Sequence, residues 1–489
     1  MTIFLVKISY PVKMASPSPT SSVYINFRSI FDLAPCRENH QSCECSYPSL
    51  RAKSFSTVTM EALTINGGNM TVRKFEPVLV HPESEIPDGF YFLSSLDQAI
   101  PFTVKTIYRY EKGGDDVGDV LRRALSKVLV LYYPLTGSMT TSSDGGFIVE
   151  LTKKGVPFVE AEADCSMDML GDIRVPDPDV TDKLIYTDPK AKTVFETPLL
   201  TVQVTKFKGG GFTLGVGMYH SLTDGVSGMN FVNSWAQIAR GKPVTAIPFH
   251  DRTLLKSRVP PQLKYPYDDF VKIDDTSDTE SLYRRDPLVH RLFVFDADRI
   301  AATKMQALSE GKVKCCSSFA AVTALVWRAW SEALRMKPHQ LTKLRIMADF
   351  RSKFETEPLP KNYFGNAVVT TASLCSAGEL HERPISFAVE QIQKAVELLD
   401  EEYVRSRIDF VGEHKPRLSS VGTLVISSWT RLDYGMSDFG WGNPSQFGCG
   451  DLGRELCVYF PEGEGKKGIA VVLALPLSAM NAFGELVRA

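Results

Sequence analysis

Two β-rich runs, 199–207 and 212–219, flank Lys208-Gly209-Gly210-Gly211, and an apolar repeat of helical period follows over 225–240. Glycine accepts the positive φ of a tight turn, so the two runs close as a hairpin. The glycines also resemble a phosphate loop, but neither a helix start nor a Lys-Ser/Thr pair follows them, and the hairpin reading prevails. Val226, Met229, Val232, Trp235 and Ile238 then repeat at helical spacing, closed by Gly241 and Pro243. Strand, strand and helix in direct succession imply a mixed α/β body.

The flanking chain repeats the theme. Val117, Val120, Leu121, Leu125, Val128 and Leu129 predict an amphipathic helix over 115–133, ended by Pro134 and Gly137. From 243 to 287, Pro248, Pro260, Pro261 and Pro266 precede Asp268, Asp269, Asp274, Asp275 and Asp278, which marks a linker or crossover. Beyond it come a strand at 292–295, helices at 318–334 and 384–400, and β-rich runs at 421–429, 456–460 and 469–475. The expected organisation is an N-terminal extension (1–59), an α/β domain (60–242), the crossover (243–287) and a second α/β domain (288–489).

The extension has its own composition. No acidic residue precedes Asp32, whereas Lys7, Lys13, Arg28 and the hydroxyl cluster Ser16, Ser18, Thr20, Ser21 and Ser22 suit a transit peptide. A disordered tail, or translation starting at Met60 or Met70, explains the same residues. A cytoplasmic location is expected, with organelle import as the alternative. Over the whole chain, 55 basic and 57 acidic residues argue against a partner bound through nucleic-acid phosphates. No apolar run approaches the roughly 18 residues of a membrane helix. Nine scattered cysteines, without CxxC, HExxH or zinc spacing, fit a reducing compartment and imply no metal.

Two motifs carry chemistry. His220-Ser221-Leu222-Thr223-Asp224-Gly225 puts a histidine at a strand end and an aspartate at the next helix start. Neutral imidazole is a competent base near pH 7, and Asp224 suits an N-cap, although core and capping roles account for both residues equally well. Asp438-Phe439-Gly440-Trp441-Gly442 reads by itself as a tight turn with a large ring packed into it.

Taken together, in this order, the motifs resemble the BAHD acyltransferases, plant enzymes that move an acyl group from coenzyme A. Tyr132-Tyr133-Pro134-Leu135-Thr136-Gly137, Ala348-Asp349-Phe350-Arg351-Ser352, Tyr363-Phe364-Gly365-Asn366 and Ser427-Ser428-Trp429 support the match, which covers about Val72 to Ala489. Arg73-Lys74-Phe75-Glu76-Pro77, Leu93-Ser94-Ser95-Leu96-Asp97-Gln98, Arg252-Thr253-Leu254-Leu255-Lys256 and Thr342-Lys343 are similar to the ω-hydroxy fatty acid and fatty alcohol feruloyl or caffeoyl transferases of suberin and cutin formation.

The resemblance implies two chloramphenicol-acetyltransferase-like domains with mixed sheets and a channel between them. It implies a monomer, no bound cofactor, and a coenzyme A thioester as co-substrate. His220 would be the general base, and Asp438 is either catalytic or, as its turn motif favours, structural, with Phe439, Gly440, Trp441 and Gly442 shaping the channel. Asp224 and Gly225 would orient the histidine loop, with Arg291 as the expected partner of Asp224. Ser427 and Trp429 would face the developing oxyanion, and Lys312, Lys314 and Ser318 are candidates for coenzyme A. Shikimate, quinate or a polyamine is the rival acceptor, and Arg417 is not clearly in register with the family's anion anchor. A non-catalytic relative is disfavoured because His220, Asp224 and Gly225 are intact.

Overall fold

The computed structural model describes residues 70–488 apart from 356, 357 and 464. The expectations for 1–59 fall outside the described residues. The hairpin is present: Leu200–Lys208 runs antiparallel to Phe212–Tyr219, with Leu200 opposite Met218 and Lys206 opposite Phe212. Gly209 and Gly210, both at φ +96°, make the turn.

The hairpin lies within a seven-stranded sheet in the order 72–74, 156–166, 200–208, 212–219, 103–110, 446–449, with 78–80 also on 156–166. Every residue of Phe212–Tyr219 is buried, as befits a central strand covered on both faces. Helices Val117–Leu131 and Gly225–Ala239 pack together within this core, and the Trp235 indole N–H donates to the Leu121 carbonyl at 2.9 Å. A small three-stranded sheet (90–91, 147–150, 138–141) sits alongside.

The second sheet has six strands in the order 288–295, 469–476, 456–461, 423–428, 341–349, 368–376. Side chains alternate between the faces of a strand, and here both faces are buried. Leu344, Ile346, Cys457, Tyr459, Val471 and Leu473 pack with helices Ser318–Ala333, Ile385–Glu397 and Leu477–Leu486. Val458, Phe460, Ala470 and Val472 point the other way, into the core of the first sheet. The result is an α/β chain in two domains, with mixed parallel and antiparallel pairing.

Two features differ from a simple division into halves. Gln446–Cys449 comes from the C-terminal half but pairs with Thr103–Tyr110 in the first sheet. The acidic crossover is anchored by short helical segments, Arg252–Leu255, Asp268–Phe270 and Thr279–Arg285, and it buries Arg252 and Asp269. Local composition reports solvated, turn-rich character, whereas those two charges are held by distant partners.

Candidate active site

His220 follows directly on Phe212–Tyr219, and its N–H donates to the Phe102 carbonyl at 2.7 Å, which prolongs the strand pairing. Its ring is buried, edge-on to Phe102 with centroids 5.3 Å apart. It lines a cavity of about 110 Å³ whose other walls are mostly apolar, including Leu96, Ile100, Met347, Val368 and Leu418.

The loop after His220 is held through its carbonyls. Asn366 Nδ2 donates to the His220 carbonyl at 2.7 Å, and Arg252 donates to those of Ser221 (2.9 Å) and Leu222 (2.6 Å). Asp97 ties these two clamps together. It forms a fully buried ion pair with Arg252 at 3.1 Å and accepts from Asn366 Nδ2 at 2.8 Å. Burial acts to strip the Arg252 proton, but the charge of Asp97, joined by Tyr91 and Tyr363, outweighs it in sum and holds the guanidinium above its ordinary range. Three residues that entered the sequence reading only as family markers therefore fix the backbone of the histidine loop.

Asp224 is the N-cap of helix Gly225–Ala239 and accepts from Ser227 N at 2.8 Å. Its other oxygen accepts from Ala367 N at 3.0 Å and pairs with Arg351 at 2.8 Å. This corrects the expected pairing with Arg291. Arg291 is on strand Leu288–Phe295 with the parity of Phe293 and Phe295, which face the covering helices and not the domain interface. Arg351 lies two residues beyond Asp349, at the end of Leu341–Asp349, and bridges the carboxylates of Asp224 and Asp349. Burial raises the Asp349 carboxyl, whereas at Asp224 burial is outweighed by the Arg351 charge together with the hydrogen bonds from Arg351, Ser227 N and Ala367 N, and the carboxyl is lowered.

Asp438 does not line the histidine cavity. One oxygen accepts from Gly440 N (2.7 Å) and Gly442 N (2.9 Å), and the other pairs with Arg240 at 3.1 Å. Gly440 and Gly442 have φ of +117° and +99°, which side-chain-bearing residues rarely adopt. Phe439 packs edge-on against Trp235, and Trp441 against Phe212. The motif is a turn knotted by its own aspartate and docked on the helix that follows the histidine loop.

Trp429 Nε1 donates to Ser427 Oγ at 3.1 Å. Trp429 also borders a small cavity of about 30 Å³ with Thr223, Asp224 and Gly225. A larger one, about 710 Å³, is lined by Ser317, Ser318, Ser428, Thr430, Lys353, Arg431, Lys466 and Lys467. Ser317 caps helix Ser318–Ala333 at this cavity, accepting from Ala320 N. Lys312 and Lys314 are not among its walls, and the cations there come from other segments that single-sequence reading had no means to align. Arg431 also borders a third cavity, which shares Met229 and Leu432 with the small one.

Among the described residues no group of His, Cys, Asp and Glu is placed to hold a metal, and no helix is long and apolar enough to cross a membrane. The fold is that of vinorine synthase (TM-score 0.67, 23% identity, covering 85% of this chain and 98% of that one). It is also that of F. sporotrichioides TRI101 complexed with coenzyme A and T-2 (TM-score 0.65, 13% identity, 81% and 97%). In sequence, the chain is 45% identical over 443 residues to the omega-hydroxypalmitate O-feruloyl transferase of Arabidopsis thaliana, covering 88% of this chain and 97% of that protein. It is 40% identical over 420 residues to the fatty alcohol:caffeoyl-CoA acyltransferase of the same plant, with 85% and 97% covered. The transferase family model matches residues 70–488, so the chain belongs to that family, the BAHD acyltransferases, and is a coenzyme A-dependent O-acyltransferase.

Proposed function

We propose that this enzyme transfers a hydroxycinnamoyl group, feruloyl or caffeoyl, from coenzyme A to the hydroxyl of an ω-hydroxy fatty acid or fatty alcohol. The observation that carries the reading is the apolar cavity with His220 in its wall. An aliphatic acceptor gains about 0.8 kcal/mol for each methylene it buries there. The names of the two relatives described above support the same acceptor class.

In this reading His220 takes the proton of the acceptor hydroxyl, and the oxygen attacks the thioester carbonyl. The tetrahedral intermediate collapses with loss of the coenzyme A thiolate, to which the imidazolium returns the proton. Asp224 holds the loop and does not touch the reacting atoms. The indole N–H of Trp429 is engaged by Ser427, so the Ser427 hydroxyl is the proposed donor to the developing oxyanion. Coenzyme A would occupy the large cavity, its phosphates near Lys353, Arg431, Lys466 and Lys467 and the Ser317-capped helix start.

The test supplies feruloyl-coenzyme A with 16-hydroxypalmitate, a fatty alcohol, shikimate or spermidine to one purified protein. Ester formation on the aliphatic acceptors is expected. Turnover of shikimate or spermidine alone would overturn the proposal.

A further inference from the structure

Strands Leu456–Pro461 and Ile469–Pro476 are joined by a turn over 462–468, which contributes Lys466, Lys467 and Gly468 to the wall of the large cavity. Gly463, Gly465 and Gly468 recur in it, and glycine has the most conformational freedom to lose when a chain is ordered. Within the turn, Glu462 N donates to the Gly468 carbonyl at 3.1 Å, and the Glu462 carboxylate pairs with Lys466 at 3.1 Å. The lysine end of that pair is exposed, and such a pair holds little by itself.

A further hold comes from the first domain. Arg174 lies between the short helical segments Met167–Leu170 and Pro178–Leu184. Its Nε and Nη2 donate to the two carboxylate oxygens of buried Asp172, at 2.9 and 2.6 Å, which fixes the plane of the guanidinium. Nη1 then donates to the carbonyls of Pro461 (3.3 Å) and Glu462 (3.2 Å), the last residue of the strand and the first of the turn. The loop that carries Arg174 is itself seated on strand Gln446–Cys449. Ile173 N donates to Gln446 Oε1 at 3.1 Å, and a Cβ at position 448 would meet the Ile173 carbonyl oxygen at 1.9 Å. Neither Arg174 nor Asp172 lines the cavity, so an influence on its ligand runs through the turn.

We propose that Arg174 is a positioning residue for coenzyme A. By clamping the start of the turn to the first domain, it holds Lys466 and Lys467 where the phosphates pass. The inference rests on the reading that coenzyme A occupies the large cavity, and it adds the residue that sets part of that cavity's cationic wall from outside it.

The experiment measures the Kd of coenzyme A by titration calorimetry on the full chain, so that no acceptor enters the result. Arg174→Lys keeps the charge beside Asp172 and the net charge of the protein, but a single ammonium has no fork with which to hold Asp172 and both carbonyls together. Its Kd is expected to rise about two- to tenfold, the equivalent of ordering one long side chain on binding. The binding stoichiometry counts folded sites, so a loss of folded protein lowers the stoichiometry and leaves Kd where it was. The Lys466→Ala/Lys467→Ala double variant is also expected to bind more weakly, and in that background Arg174→Lys should add almost nothing. A wild-type Kd in Arg174→Lys overturns the inference, and so does a full additional loss in the lysine-free background. If Arg174→Lys does not fold, Asp172→Leu/Arg174→Met, which removes both charges of the pair at once, is read by the same two criteria. An unchanged Kd in the double lysine variant defeats instead the placement of coenzyme A in this cavity, and the inference with it.

Discussion

Replacing Asp224 by asparagine separates a residue that holds the site from one that performs its chemistry. In the native chain the two carboxylate oxygens accept from Ser227 N, Ala367 N and both terminal nitrogens of Arg351, in full burial. Asparagine keeps one acceptor and turns an N–H₂ toward donors. Breaking a buried ion pair by removing one partner costs about 3–5 kcal/mol. The lower end applies here, because Arg351 retains Asp349 as a second counter-charge. At roughly 2–4 °C per kcal/mol for a unit of 150–250 residues, a loss of about 3 kcal/mol lowers the melting temperature by roughly 6–12 °C. Scanning fluorimetry on the wild type, Asp224→Asn, Arg351→Met and the double variant measures it. The double variant is expected to lose clearly less than the sum of the singles, since each single leaves a buried group without its partner. Unchanged melting in Asp224→Asn with abolished turnover would refute the reasoning, because the carboxylate would then be acting on substrate.

Two further contrasts follow from the same geometry. His220→Ala is expected to abolish turnover with little change in melting, whereas Asp438→Ala lowers soluble yield and activity together by releasing the Gly440 and Gly442 N–H groups and Arg240. An Asp438→Ala protein that melts normally yet has no activity would return Asp438 to a catalytic role. His250 supplies a pH test. It is half-buried among Tyr91, Tyr133 and Phe364 with Nε2 2.8 Å from the Leu131 carbonyl, and its partial burial lowers its pKa from 6.5 to about 4. The unfolded chain therefore binds the extra proton first, so the stability from this site is complete above pH 6.5 and is lost as pH falls toward 4. The loss is up to about 3 kcal/mol. Urea midpoints across that range should fall more steeply for the wild type than for His250→Gln, and parallel curves would exclude His250 as the source.

What the sequence made legible was local. The hairpin, the helix after it and the histidine at their junction are written in neighbouring residues, as strand alternation, glycine turn and helical repeat. The internal economy of the Asp438 turn was legible too, because its two glycines and its acceptor lie within five residues. Arg351 was within sight, quoted in Ala348-Asp349-Phe350-Arg351-Ser352, but nothing local says that this strand end abuts the start of helix Gly225–Ala239. Choosing Arg291 required knowing which face of its strand meets the interface, and a sheet buried on both faces gives no hydrophobic alternation by which to tell.

The same difficulty hides the groups that hold the histidine loop. Asp97, Arg252 and Asn366 are separated by more than a hundred residues each, yet they converge on three successive carbonyls. Arg345 and Arg407 read as ordinary charges in a strand and a helix until sheet order puts the first on an inward face beside the second. In this fold the histidine proposed as the base needs only a strand end, which a short sequence specifies. Its backbone is held by residues that distant segments, the second domain's among them, bring to the same loop. Substitutions at Asp97, Arg252 or Asn366 should therefore disturb the histidine loop although none of them lies in the His220–Gly225 segment.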